Sequence, residues 1–304
     1  MESIPENHLL QIAPGAIDYL KKIHNLDKIG RLEEAITILE EWIQKQDHII
    51  KKDFSKDYLL KTLITCKGSV EKSKKQIDRL CTTKTLMPKF FSKVNVKVDL
   101  AHIIEISWAI PLPIMTEDYY RVLVIKIVSK DFTTESFMQY YKYHIILAEY
   151  LKAHDYPNGF IVLFDLGGIN VLEVMSKWNP VELQQFLSII IEGFGARLKN
   201  IHLLTESKAI GLLITTFKHL VSEKIGNRIH VRKSLEDLHK VVPKKILPVD
   251  YGGNERSSEK FSEKHMEYIK MMSKACSDET KRHAGKFNEE YMGVAGSFRC
   301  LSVD

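Results

Sequence analysis

Ala209-Ile-Gly-Leu-Leu-Ile-Thr-Thr-Phe217 carries no charge and is bracketed by Lys208 and Lys218. Ile210, Leu213, Ile214, Phe217 and Val221 recur at i, i+3, i+4, i+7 and i+11, one stripe of an α-helix. Leu212, Thr216 and Leu220 occupy the other side, so this helix has apolar groups to cover in two directions. Composition alone favours a buried core helix. The sharper reading is a lid over a greasy cavity, with an outer side that meets a membrane. The flanks are basic: Arg197 and Lys199 precede the strand-like Ile201-His-Leu-Leu204, and Lys224 and Arg228 follow the helix, four residues apart. The plain reading of four such cations is a solvated rim. At an anionic leaflet each contributes roughly 1 kcal/mol, about 4 in all, which is weak and reversible docking.

Three spaced motifs then agree. Arg197-Leu-Lys-Asn-Ile-His-Leu-Leu204, the apolar helix with Ser222-Glu-Lys-Ile-Gly-Asn-Arg-Ile-His-Val231, and Ile246-Leu-Pro-Val-Asp-Tyr-Gly-Gly253 together resemble the CRAL-TRIO family. The resemblance implies an α/β fold. An N-terminal three-helix module precedes a domain with a mainly parallel sheet, flanking helices and a mobile gate helix over an apolar cavity. It implies a carrier that binds one hydrophobic ligand (a retinoid, carotenoid, tocopherol or similar lipid) and transfers it at phosphoinositide-containing membranes when the gate opens. The alternative is a phosphoinositide-binding adaptor whose cavity is vestigial. Arg197, Lys199, Lys224, Arg228 and Lys61 are the implied headgroup cations. The chain departs from the family pattern in three places: Ile64 stands for an arginine, with Lys61 and Lys67 nearby as compensating cations; Gly195 stands for a proline; and Thr205-Glu-Ser207 replaces Asn-x-Pro ahead of the gate.

Composition limits the rest. The 304 residues are 44% hydrophobic with a net charge of +5, enough for a large core and without the Lys/Arg blocks of a nucleic-acid binder. Glu2, Pro5 and Glu6 interrupt the start, so no secretory signal is expected, and no apolar run reaches the ~18–20 residues of a membrane span. Cys66, Cys81, Cys276 and Cys300 show neither C-x-x-C pairing nor zinc spacing, which suits free thiols in a reducing cytoplasm. No cofactor or metal is called for, and a soluble cytoplasmic monomer that docks transiently on membranes is expected. Catalysis is not: G-x-G-x-x-G, P-loop, G-x-S-x-G and H-E-x-x-H motifs are all absent. Asp165, at a strand end, reads as structural, and Glu149 and Glu192 match acidic family positions without needing an acid-base role.

Along the chain, Leu32, Ile36, Leu39 and Ile43 mark one helix; Ser55 caps a second; Gly68 ends it, and Ser69 opens a third. This predicts a helical module over 1–88, a lipid-binding domain over 89–253 and a C-terminal helix and tail over 254–304. Residues 89–118 read as a connector with an edge strand. Val122–Val128, Phe160–Asp165, Ile201–Leu204 and Arg228–Val231 read as buried strands, alternating with helices over 134–154, 181–194 and the apolar segment. Phe137, Tyr141 and His144 share a helix face; Phe160, Val162 and Phe164 share a strand face; Phe186, Ile189, Ile190 and Phe194 share a second helix face. Taken singly, each apolar residue is ordinary core. The resemblance makes these, with Ile201, Leu203, Ile210, Leu213, Ile214 and Phe217, the cavity lining. Tyr141 and His144 would then either be satisfied within the protein or bond a ligand hydroxyl or carbonyl. Beyond 253, a helix over 262–281 is expected, and a tail resembling that of arthropod-type members, with Phe298 and Leu301 packing back.

Overall fold

The computed structural model describes residues 10–50, 52–92, 94–129, 132–255 and 257. The expected C-terminal helix and the contacts of Phe298 and Leu301 lie outside these residues. The chain opens with helices α1 (Ala16–Ile23), α2 (Arg31–Gln44), α3 (Lys56–Thr65) and α4 (Val70–Leu86). Leu20, Leu39, Ile43, Leu59, Leu63 and Ile77 form their shared core. The Ser55 and Ser69 hydroxyls accept hydrogen bonds from the amides of Tyr58 and Lys72, starting α3 and α4. Between them Gly68 adopts φ +74, and a Cβ there would lie 2.4 Å from the His24 carbonyl oxygen, so the stop signal is also a close backbone approach.

Short helices α5 (Pro88–Phe91), α6 (Val96–Asp99) and α7 (Ala101–Ile106) lead to edge strand β1 (Ser107–Pro111). Strand β2 (Tyr120–Ile127), helix α8 (Thr134–His154), strand β3 (Gly159–Asp165), helices α9 (Val171–Ser176) and α10 (Pro180–Ser188), strand β4 (Leu198–Leu204), helices α11 (Ile210–Leu220) and α12 (Glu223–Gly226), strand β5 (Ile229–Arg232) and helix α13 (Leu235–His239) follow. A capping box between Thr133 and Ser136 fixes the start of α8, and the Asn179 carboxamide caps α10 ahead of Pro180.

The five strands are ordered β1-β2-β3-β4-β5. β1 is antiparallel to β2, and the other neighbours are parallel. With parallel strands in sequence order, right-handed crossovers deliver every connecting helix to the same face of the sheet. Leu123, Ile125, Phe160, Val162 and Phe164 turn toward those helices. Val122, Val124, Ile161 and Leu163 turn the other way, onto Leu238, Val242, Ile246, Leu247 and Tyr251. That is why β3 reads as a continuous apolar run up to Asp165 and β2 as a near-continuous one, interrupted by Lys126: both faces are covered.

Buried ion pairs bolt the layers together. Arg121, fully buried on β2, donates to Asp155 at the end of α8 (2.7 and 2.8 Å) and to the Leu112 carbonyl (2.9 Å). Lys84 of α4 meets Glu149 of α8 at 2.5 Å. Asp165 has the structural role expected of it, accepting from the Tyr251 hydroxyl (2.9 Å) and the Gly167 amide (3.0 Å).

Candidate ligand cavity and cationic rim

A cavity of about 260 Å³ lies between the sheet and its helical layer. Its roof is α11, which turns Leu213, Ile214 and Phe217 inward, with Val221 just past its end. Ahead of the helix the Thr205 hydroxyl accepts from the Ser207 amide (3.1 Å) and the Ser207 hydroxyl from the Ala209 amide (3.3 Å), so Thr205-Glu-Ser207 forms hydrogen-bonded turns where the family pattern has a proline. Leu212, on the outer side, is 54% exposed. Trp178 ties the roof to the far wall, packing edge-on against Phe217 at 5.6 Å and Phe137 at 6.4 Å.

Phe137, Tyr141, His144, Phe160, Val162, Phe164, Phe186, Ile190, Phe194, Ile201 and Leu203 all face this space with Leu213, Ile214 and Phe217. Ile189 and Ile210 do not. The end of α10 widens into a π-turn over Ile189–Gly193, and Ile189, at its start, lies beside the stripe formed by Leu183, Phe186, Leu187 and Ile190 and packs in the solid core. Ile210, in the first turn of α11, packs, without reaching the cavity, in the cluster of Leu166, Val171 and Leu203, which themselves form part of the wall. Other wall residues were not read from the sequence. Leu166, Ile169, Val171, Val174 and Trp178 belong to α9 and its approaches, too short for a periodic signal; the Asn170 cap was the available clue. Ile64, Thr65, Lys152 and Tyr156 close the end nearest the helical module.

Three polar atoms interrupt the apolar walls without a partner: the Tyr141 hydroxyl, His144 Nε2 and Lys152 Nζ. Tyr141 stacks on Phe186 at 4.8 Å. His144 Nδ1 lies 2.9 Å from the Tyr140 carbonyl oxygen, which can only accept, so Nδ1 carries the proton. Burial lowers the His144 pKa to about 4, so Nε2 is an unprotonated acceptor at neutral pH. Burial likewise lowers Lys152 to about 8.

The cationic residues divide. Arg197, Lys67, Lys72, Lys224 and Arg228 cluster closely enough to act on one another: Arg197 is the largest influence lowering the Lys67 pKa, followed by burial, Lys224, Lys72 and Arg228. Arg197 donates to His24 Nε2 (3.2 Å), and burial followed by Arg197 and Lys67 lowers the pKa of that histidine. Lys199 is exposed and lies over the Tyr120 ring at 5.4 Å. Lys61 does not join the rim. It is buried, donates to Asp57 (2.5 Å) and to the Ala153 carbonyl, and lies 4.6 Å over Tyr156. The face of α3 that carries it packs against the end of α8, so Lys67 is the cation of this segment that reaches the rim. Ile64, in the arginine position, is buried.

Gly195 follows the π-turn at φ +68, a conformation closed to proline, and a Cβ would come 2.7 Å from the Gln76 carboxamide. That carboxamide donates to the Phe194 carbonyl (2.8 Å), joining α4 to the cavity floor. Among the described residues, no group of three or more His, Cys, Asp or Glu side chains could hold a metal ion, and no helix is long and apolar enough to cross a membrane.

Residues 88–253 match the CRAL/TRIO domain, and residues 28–100 match the Pinta-like, UBA domain. Alpha-tocopherol transfer protein-like proteins of Mus musculus and Homo sapiens are 33% identical over 97 residues. That segment is 32% of this chain and 28% of each relative's length. The crystal structure of Sfh5 aligns with TM-score 0.49 and 12% identity, covering 82% of this chain and 92% of that one.

Proposed function

The chain belongs to the CRAL/TRIO family, and on that premise we propose that it carries one apolar ligand beneath α11 and exchanges it at anionic, phosphoinositide-containing membranes. The observation that carries this reading is the apolar cavity roofed by Leu213, Ile214, Phe217 and Val221. Each methylene buried there contributes about 0.8 kcal/mol, so a lipid of roughly twenty carbons gains on the order of 10 kcal/mol before ordering costs. Such a guest leaves slowly while the roof is shut. Swinging α11 into water exposes its apolar side chains at about 1.5–3 kcal/mol each. Swinging it into a bilayer avoids most of that, and Leu212 already faces outward. Arg197, Lys224 and Arg228, joined by Lys67, supply a mutually repelling set of cations that a headgroup phosphate would relieve. Lys199 adds charge nearby. Within the cavity, a ligand hydroxyl suits both open polar groups, donating to His144 Nε2 and accepting from Tyr141, whereas a carbonyl suits only the tyrosine. The division into a helical module, a carrier domain and a C-terminal extension is part of the same reading.

Two measurements test it. Native mass spectrometry and organic extraction of the purified chain should yield one apolar molecule per protein; a stoichiometrically empty protein favours the adaptor reading. Transfer of a fluorescent retinoid or chromanol between liposomes should slow when Arg197, Lys199, Lys224 and Arg228 are reversed to glutamate. Unchanged rates would remove the membrane-docking step.

A further inference from the structure

Lys152 is the group in the cavity wall that an apolar, uncharged guest leaves unexplained. Its Nζ is buried without a hydrogen-bond partner, at the cavity end formed with Ile64, Thr65 and Tyr156. The carboxylates around it are engaged elsewhere: Asp57 with Lys61, Asp155 with Arg121, and Glu149 with Lys84. Its other neighbours bring no negative charge. The Tyr58 ring lies 5.0 Å away, and the Lys61 ammonium is a like charge. Burial raises the Cys66 thiol pKa, and that thiol donates to Gln76 Oε1 at 3.0 Å. A lone ammonium among apolar walls is costly unless an anion or a strong acceptor meets it.

We propose that Lys152 anchors the acid group of the guest, and that the cavity takes an apolar monocarboxylate with its head toward the helical module. This rests on the carrier reading above and narrows it. One unpaired cation matches one carboxylate. The other polar groups at this end are already engaged: the Thr65 hydroxyl donates to the Lys61 carbonyl at 2.6 Å, the Lys61 ammonium pairs with Asp57, the Tyr156 hydroxyl donates to Asp57, and Asp155 is held by Arg121. A phosphate would therefore bring a second charge and further oxygens with nothing to receive them. The geometry also orients the chain. Tyr141, His144, Ala148 and Lys152 lie at i, i+3, i+7 and i+11, one stripe of α8, and all four line the cavity. His144 precedes Lys152 by eight residues, a rise of about 12 Å. An acid seated on Lys152 thus runs its tail toward Phe186 and Trp178, and an oxygen substituent partway along would meet the open Tyr141 and His144.

The test uses the delipidated full chain with hexadecanoate, methyl hexadecanoate, hexadecanol and hexadecyl phosphate as probes, measured by titration calorimetry. Hexadecanoate should bind about tenfold or more tighter than its methyl ester, the ratio expected of one buried charge-assisted bond. Lys152→Met should abolish that preference, bringing the acid-to-ester affinity ratio to about one. Equal binding of acid and ester to the native chain overturns the anchor and leaves the carrier reading standing. Preference for the alkyl phosphate overturns it as well, and failure of every probe to bind overturns both. The native-chain comparison decides the matter even where Lys152→Met does not fold.

Discussion

Helix α8 has two sides that treat buried polar groups in opposite ways. Where it meets α4, β1 and β2, its buried polar groups find counterparts: Glu149 has Lys84, the Tyr143 hydroxyl accepts from the Ala109 amide (3.4 Å), and Asp155, just past the helix, has Arg121. On the cavity side, Tyr141, His144 and Lys152 end in atoms that nothing in the described protein satisfies. Both sides are screened from water, so burial does not distinguish them. The first side spends its polar groups on fixing one arrangement of layers. The second keeps donors and acceptors open and tolerates their neutralisation, as the lowered His144 and Lys152 pKa values record.

Removing one partner from the satisfied side should cost most. Asp155→Ala strands the Arg121 guanidinium and should lower stability by about 3–5 kcal/mol in denaturant titration. A loss below about 1 kcal/mol would mean that this side is no better satisfied than the cavity.

Acid should attack the open side next. The folded-state pKa of His144 is about 4, below its ordinary 6.5, so the native state binds fewer protons than the unfolded chain in that window. Stability should be flat above pH 6.5 from this group and fall between 6.5 and 4, by roughly 3 kcal/mol at the lower end. His144→Phe should flatten that slope in a pH series of melts. His202, lowered to about 4 by burial, then Arg232 and His230, keeps its own share.

Lys152→Met tests the contrast from the other direction. Replacing an unpaired buried cation with an apolar chain should change stability by less than about 1 kcal/mol or raise it. In the native chain, the lowered Lys152 pKa should make stability rise between pH 8 and 10.5, and the methionine variant should lose that rise.

The smallest effect belongs to the surface. Lys245 and Glu117, exposed and 2.8 Å apart, should matter little, so Lys245→Ala should leave the denaturant midpoint where it is. A lowered midpoint would show that pairing alone, without burial, sets these energies.

The fold was legible where local chemistry and tertiary environment agreed. The Thr133 cap and the apolar rhythm after it place α8 at Thr134–His154, and β2 and β3 announce themselves because neither face of those strands meets water. Reading failed where a stripe is narrow or short: Ile189 sits just off the face that carries Phe186 and Ile190, and a helix as short as α9 completes too few turns to show a stripe. Lysines were the harder case. Lys61 and Lys152 sit in amphipathic sequence where a cation ordinarily faces solvent, and only the packing of α3 against α8 turns them inward. The site's outline could be read from phenylalanines and isoleucines; its polar fittings could not, because whether a buried group has a partner depends on chain segments far away in sequence.

The hydrogen bond from Gln76 to the Phe194 carbonyl, with Gly195 pressed beneath the same carboxamide, has a mechanical consequence. Any side chain at position 195 is strained at φ +68 and must displace the Gln76 carboxamide from its acceptor. The N-terminal helices are therefore not a pendant attached to a finished container. They act as its keel, with α4 bonded to the backbone just before Gly195, itself part of the cavity wall.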